Sequence, residues 1–109
     1  GILLFSLEHP IVTANKGKES WVTNEEGNLL HFAVDNYQEE GLRKQNWLVD
    51  NVIMYHRTMS TILNTLIENG LQIEKVIEPI PTKEALRNLP SLNKELRRPS
   101  FLIVRAKKV

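Results

Sequence analysis

A chain of 109 residues, 41% hydrophobic and 25% charged, can build one modest core and no more than one domain. A formal net charge of +1 argues against a nucleic-acid binder or an acidic tail, and the absence of cysteine excludes a disulfide framework, a thiol nucleophile and a thiolate metal site. The longest apolar stretch, Ile2 to Leu7, is too short for a bilayer and lacks a basic leader or cleavage site, so a soluble cytoplasmic protein is expected.

Ile2-Leu3-Leu4-Phe5-Ser6-Leu7 has the continuous apolar pattern of a strand buried on both faces. The chain enters it directly at Gly1, with no initiator Met or polar lead-in, which predicts a fragment of a longer protein. Pro10 ends the strand and restricts His9 before it. Residues 11–20 read as polar and mobile. Trp21-Val22-Thr23 and Leu29 to Val34 flank Asn24-Glu25-Glu26-Gly27-Asn28, a hairpin connection with a glycine available for positive φ. Gln38-Glu39-Glu40-Gly41 is a second turn, and an extended segment from about Trp47 to Met54 follows, completing an antiparallel insertion of two or three strands.

Met59, Ile62, Leu63, Leu66 and Ile67 fall at i, i+3, i+4, i+7 and i+8, one apolar stripe of a helix. Thr58 is placed to cap its start and Gly70 to close it in the left-handed conformation. Tyr55-His56-Arg57 put a phenol, an imidazole and a guanidinium at the helix entrance. Leu71 to Glu78 reads as the next strand, and the two prolines of Glu78-Pro79-Ile80-Pro81 forbid ladder bonding beyond it. Thr82 caps a short helix, Lys83 to Asn88. A basic surface segment with Lys94, Arg97 and Arg98 precedes a final buried strand, Phe101 to Ala106.

Several of these pieces together resemble the C-terminal half of bacterial class I S-adenosylmethionine-dependent methyltransferases. They are Phe5-Ser6-Leu7-Glu8-His9-Pro10-Ile11, Asp35-Asn36-Tyr37 with Glu40-Gly41-Leu42-Arg43, Tyr55-His56-Arg57-Thr58, Asn69-Gly70-Leu71 with Glu78-Pro79-Ile80-Pro81, and Arg97-Arg98-Pro99-Ser100-Phe101-Leu102. The resemblance implies an α/β fold holding the last three strands of a Rossmann-like seven-stranded sheet. Ile2–Leu7 would be the fifth strand, Leu71–Glu78 the sixth, and Phe101–Ala106 the seventh, running antiparallel between the other two. The chain then divides into residues 1–10, a β insertion or lid over 11–55, and residues 56–109, within one partial domain.

The same resemblance implies S-adenosylmethionine as cofactor of the intact protein and a small-molecule methyl acceptor. It also exposes a departure. The family's glycine-rich turn has no counterpart, since the glycines at 1, 17, 27, 41 and 70 are all isolated. The chain alone is expected to be inactive, with no cofactor-binding residue of its own.

His9, at the carboxyl end of its strand, and His56, at the helix entrance, are the candidate bases, because a neutral imidazole accepts a proton near neutral pH. The plainer alternatives are that His9 shapes the turn before Pro10 and that His56 satisfies its own loop. Tyr37, Arg43, Trp47, Tyr55 and Arg57 are the candidate substrate contacts, aromatic and guanidinium groups suited to a planar or carboxylated acceptor. Against this, Trp47 also suits a packing anchor, Arg57 a surface pair with Asp50, and Trp21 packing or lid. Glu8, His9, His31 and His56 share no chelating spacing, so no metal is expected, and without a G-x-S-x-G elbow a serine hydrolase is not expected either. Neither nucleic acid nor membrane is expected as a partner. The expected partner is the missing N-terminal half, or a second copy paired through the exposed edge of the first strand. The alternative is a stand-alone, non-catalytic α/β binding or dimerisation module.

Overall fold

The computed structural model describes residues 1–16, 20–45 and 52–109. Two compact units are distinguished, one formed by Gly1–His9 with Ser60–Val109 and the other by Pro10–Met59.

The first unit is built on a three-stranded sheet of β1 (Ile2–Glu8), β6 (Leu71–Ile77) and β7 (Phe101–Lys108), in the order β1-β7-β6. β7 is antiparallel to both neighbours, so β1 and β6 run parallel on either side of it. This is the sheet expected for the C-terminal part of the methyltransferase fold, with β7 two residues longer than its apolar run suggests. Leu102, Val104 and Ala106 alternate along one face of β7 and are fully buried. Opposite them in register stand Leu7, Phe5 and Leu3 of β1. A register shift between Ile73 and Lys75 interrupts β6. There Glu74 accepts from Arg105 Nε at 3.1 Å.

Helix α2 (Met59–Glu68) turns Ile62, Leu63 and Leu66 away from solvent and leaves Ile67 exposed. It ends as its sequence requires, with Gly70 at φ 82° and its N–H on Ile67 O at 3.1 Å. Helix α3 (Lys83–Asn88) starts on Thr82, whose hydroxyl accepts the Ala85 N–H at 3.0 Å. A 3₁₀ helix over Pro90–Leu96 follows. The basic segment after it is not simply a solvated face. The Arg98 and Glu95 side chains are 12% and 22% exposed and pair at 3.1 Å, three residues apart.

The second unit departs more from its sequence pattern. Residues Pro10–Thr13 form a short helix, α1, where a mobile stretch was expected; proline suits the first helical position because its missing N–H is not needed there. Strands β2 (Trp21–Thr23) and β3 (Leu29–Phe32) make the expected hairpin. Asn24 Oδ1 takes the N–H groups of Glu26 and Asn28, Gly27 sits at φ 85°, and the Trp21 and Phe32 rings meet edge-on at 5.2 Å.

A second antiparallel pair joins β4 (Gly41–Gln45) to β5 (Val52–His56). β4 was not anticipated, because Arg43-Lys44-Gln45 offers almost no apolar alternation. β5 runs through Tyr55 and His56, paired with Leu42 and Gly41, so those two residues close a strand and α2 begins at Met59. Among the described residues no helix is long and apolar enough to cross a membrane.

Candidate functional site

The candidate residues fall in both units, and each group has its own geometry. Within the first unit, His9 stands just beyond β1 and is 5% exposed. Its main-chain N–H donates to Ser100 O at 2.9 Å, continuing the β1–β7 ladder by one residue. Its imidazole Nε2 lies 2.5 Å from Glu78 Oε2, and the Glu78 side chain is 54% exposed. Glu8, the residue before, has its carboxyl pushed above the usual carboxylate range by burial.

Glu78 was not among the residues singled out from sequence. The signal available was indirect. Glu78 and His9 each precede a proline at the end of parallel strands that share β7 as neighbour. Two strand spacings separate such ends by roughly 10 Å, a gap that an imidazole and a glutamate can close together.

Within the second unit the candidates interlock. Thr13 Oγ1 lies 2.7 Å from His56 Nδ1, and His56 Nε2 lies 2.7 Å from Tyr37 O. A carbonyl only accepts, so His56 Nε2–H is the donor, and in the neutral ring Nδ1 accepts from the Thr13 hydroxyl. His56 is fully buried, with the Tyr37 ring edge-on at 5.5 Å. Both ring nitrogens are engaged, so His56 as it stands is held as a structural group.

Arg43 is equally committed. It is 3% exposed, with Nε on Ala14 O at 2.8 Å and Nη2 on both Asn36 O at 3.1 Å and Glu39 O. Asn36 adopts φ 59°, and its carbonyl also accepts the Glu39 N–H at 3.2 Å. One planar guanidinium thus ties α1 and the 36–39 turn to β4. The turn in turn holds the start of α2. The Thr58 N–H donates to Glu40 Oε2 and the Met59 N–H to the Tyr37 hydroxyl, each at 2.9 Å. An acidic side chain and a phenol oxygen therefore serve the unsatisfied donors at a helix N-terminus.

Tyr55 and Arg57 differ from these. Both are exposed, and the Arg57 guanidinium carbon lies 4.2 Å from the Tyr55 ring centroid. Trp47 and Asp50 lie outside the described residues. At the surface, Lys16 Nζ pairs with Glu39 Oε1 at 2.7 Å, and that hydrogen bond and charge draw the Glu39 carboxyl below the usual range.

No family model matches the chain. A crystal structure of a protein provisionally designated an S-adenosylmethionine-dependent methyltransferase from Listeria monocytogenes shares 46% identity and a TM-score of 0.88, covering all of this chain and 48% of that one. A second, of an S-adenosylmethionine-dependent methyltransferase from Mesorhizobium loti, shares 41% identity and a TM-score of 0.85, over 99% of this chain and 48% of that one. The chain matches the C-terminal half of an S-adenosylmethionine-dependent methyltransferase. An uncharacterized protein from Haemophilus influenzae is 38% identical over 113 residues, which take in the whole of this chain and 42% of that protein. The chain thus spans a little under half the length of each of these three relatives. The mixed α/β fold, with β7 antiparallel between β1 and β6, is that of a Rossmann-like C-terminal part, as the sequence resemblance implied.

Proposed function

We propose that this chain forms the C-terminal part of a cytoplasmic S-adenosylmethionine-dependent methyltransferase and serves the methyl acceptor, a small molecule, with residues 11–55 as the lid insertion. The observation that carries this reading is β7 running antiparallel between β1 and β6, in a chain 46% identical to one such structure at a TM-score of 0.88.

The described residues do not fit the cofactor. A close backbone approach to a ligand is marked by glycines whose Cβ position is occupied. A Cβ added at Gly1, Gly27, Gly41 or Gly70 would meet nothing within 4 Å. No cradle for S-adenosylmethionine exists among the described residues, so no step of the transfer is assigned to them. Their contribution is to bind and orient the acceptor and to exclude water.

Of the candidate contacts, Tyr55 and Arg57 are the pair to meet an acceptor, an exposed ring and cation already stacked on each other. Tyr37, Arg43 and His56 act one step back, as the frame that fixes β5 and the start of α2. Trp47 remains a lid contact on sequence grounds alone. In the intact protein a further strand pairs with β1, whose Ile2, Leu3 and Leu4 are 59%, 42% and 66% exposed.

The test is calorimetric titration of S-adenosylmethionine into the protein encoded by the full reading frame and into the 109-residue chain. Saturable binding by the full protein and none by the chain is expected. A full protein that takes up no S-adenosylmethionine overturns the reading and leaves a binding or dimerisation module, which light scattering would detect as a closed dimer.

A further inference from the structure

Strands β4 and β5 form a ribbon with two unlike faces. Arg43 and His56 lie on one of them, both buried, with their polar atoms engaged by backbone carbonyls and the Thr13 hydroxyl. The other face carries Leu42 opposite Tyr55 and Lys44 opposite Ile53. Residues paired directly across a ladder hold their Cβ atoms about 5 Å apart, so these four side chains are contiguous. Leu42, Ile53 and Tyr55 are 69%, 60% and 51% exposed, and Lys44 is exposed as well. Arg57 continues the same alternation, with its guanidinium carbon over the Tyr55 ring at 4.2 Å. An exposed apolar stripe rimmed by charge contributes nothing to the packing of the ribbon itself, and such stripes mark interaction sites.

The charge on this side has one sign once its internal pairs are set aside. Leu42 and Lys44 also line a hollow of about 420 Å³, together with Lys16, Glu39, Glu40 and Arg43. Glu39 is held by Lys16 at 2.7 Å, and Glu40 accepts the Thr58 N–H at 2.9 Å. Arg43 keeps its positive charge, because its partners are carbonyls and not carboxylates. Lys44 and Arg57 pair with no carboxylate among the described residues. Lys16, Arg43, Lys44 and Arg57 therefore stand against Glu39 and Glu40, both already engaged. Such a surface repels a cationic ligand and draws in an anion. A guanidinium stacked on a ring keeps its in-plane N–H groups for two parallel bonds to a carboxylate. A second copy of the chain laid face to face would set like charges together, which disfavours self-pairing.

We propose that the Leu42–Tyr55 face of the ribbon binds the methyl acceptor, and that this acceptor is an apolar acid, an anionic group on an aromatic or aliphatic body. Arg57 takes the anionic group, Lys44 supplies a second positive charge, and Leu42, Ile53 and Tyr55 form the floor under the body. Ile53 and Tyr55 are two residues apart along β5, about 7 Å, the reach of one ring with a short tail. The inference rests on the methyltransferase reading and gives it a substrate class.

The test is methyl NMR of the full-length protein, without cofactor, titrated with phenylacetate, its neutral amide phenylacetamide, the cation phenethylamine, and decanoate as an aliphatic acid. Both acids should shift the Leu42 and Ile53 methyl signals saturably, about ten-fold more tightly than the amide, while phenethylamine leaves them unmoved. Arg57→Gln should bring the acids down to the level of the amide, and Lys44→Gln should weaken them about three-fold. Leu42→Ser, read at Ile53, should weaken acid and amide alike. Added salt should weaken the acids and spare the amide. All three substituted side chains are exposed, and unchanged His56 signals would show that the fold survives. Equal binding of acids and phenethylamine, acids that never saturate at these signals, or an Arg57→Gln protein that binds like the wild type overturns the inference. So do Leu42 and Ile53 signals that move with protein concentration alone, or with phosphatidylglycerol vesicles and neither acid, which assign the face to a second copy or a membrane. Cofactor titration stays separate. A full protein that holds the acids but no S-adenosylmethionine sinks the methyltransferase reading, and one that holds S-adenosylmethionine but neither acid sinks this inference alone.

Discussion

His9 and His56 are the same side chain in opposite company. His56 is walled in by neutral partners, a hydroxyl on one nitrogen and a carbonyl on the other, with a phenol ring against its edge. His9 faces a carboxylate whose other side is open to water. Both are almost entirely buried, so exposure alone does not distinguish them. The difference lies in the partner's charge. An imidazole bridging a hydroxyl and a carbonyl ties two backbone segments together, whereas one facing a glutamate joins the ends of two strands.

The contrast is sharpest for stability. His56→Ala should remove the shared partner of Thr13 and Tyr37 O and leave a hole, a loss of about 3 kcal/mol or more in urea unfolding. A loss below about 1 kcal/mol would mean that His56 is not the frame residue described. Next in size, Arg43→Leu strands one buried and two part-buried carbonyls and should cost about 2 kcal/mol. Arg43→Lys should recover little, since an ammonium cannot reproduce a planar guanidinium fork. By comparison, Glu78→Leu should change unfolding free energy by less than about 1 kcal/mol, because the carboxylate is half exposed.

Two smaller effects depend on pH. The Glu8 carboxyl binds its proton more readily folded than unfolded. Its contribution to stability is therefore complete below the unfolded carboxylate pKa and lost as pH rises through the raised folded value. Glu8→Gln should be slightly the more stable protein at neutral pH, by up to about 0.5 kcal/mol, and equal to the wild type in strong acid. A mutant less stable at neutral pH would reverse the assigned sign. Glu39 runs the other way: Lys16 holds its carboxyl low, so its share of stability is present above the unfolded pKa and fades as pH falls through the lowered folded value. In Lys16→Met, carboxyl-carbon NMR should find Glu39 titrating in the ordinary range, and salt should narrow the gap between the two proteins.

How much of this was legible in the sequence depends on the kind of force involved. β1, β6 and β7 could be read because a buried strand announces itself as an apolar run, and α3 because Thr82 is a local cap. β4 could not: Arg43 and Lys44 look like surface, and only the fold reveals three backbone carbonyls converging on the guanidinium. Tyr55 and His56 read as helix entrance because Thr58 and the apolar stripe follow at once. Pairing with Leu42 and Gly41 carries the strand two residues further. His9 lies at the end of its strand, as the apolar run and Pro10 imply, but its partner is 69 residues away, and no local pattern encodes such a meeting. Glu78 becomes visible only once β6 and β1 are known to flank one strand.

That flanking arrangement has a consequence for how the chain folds. β1 is the first strand in sequence, yet its partner in the ladder is the last, with Ile2 opposite Lys107. The sheet of the first unit cannot close until Phe101–Lys108 has been made, and the loop it must close is nearly the whole chain. Within residues 10–59, by contrast, the described strands pair with one another. They are free to condense early, while β1 waits with its apolar side chains uncovered. The slow phase of refolding should therefore belong to β7, and a chain stopped short of Phe101 should expose two apolar strands with no centre to join them.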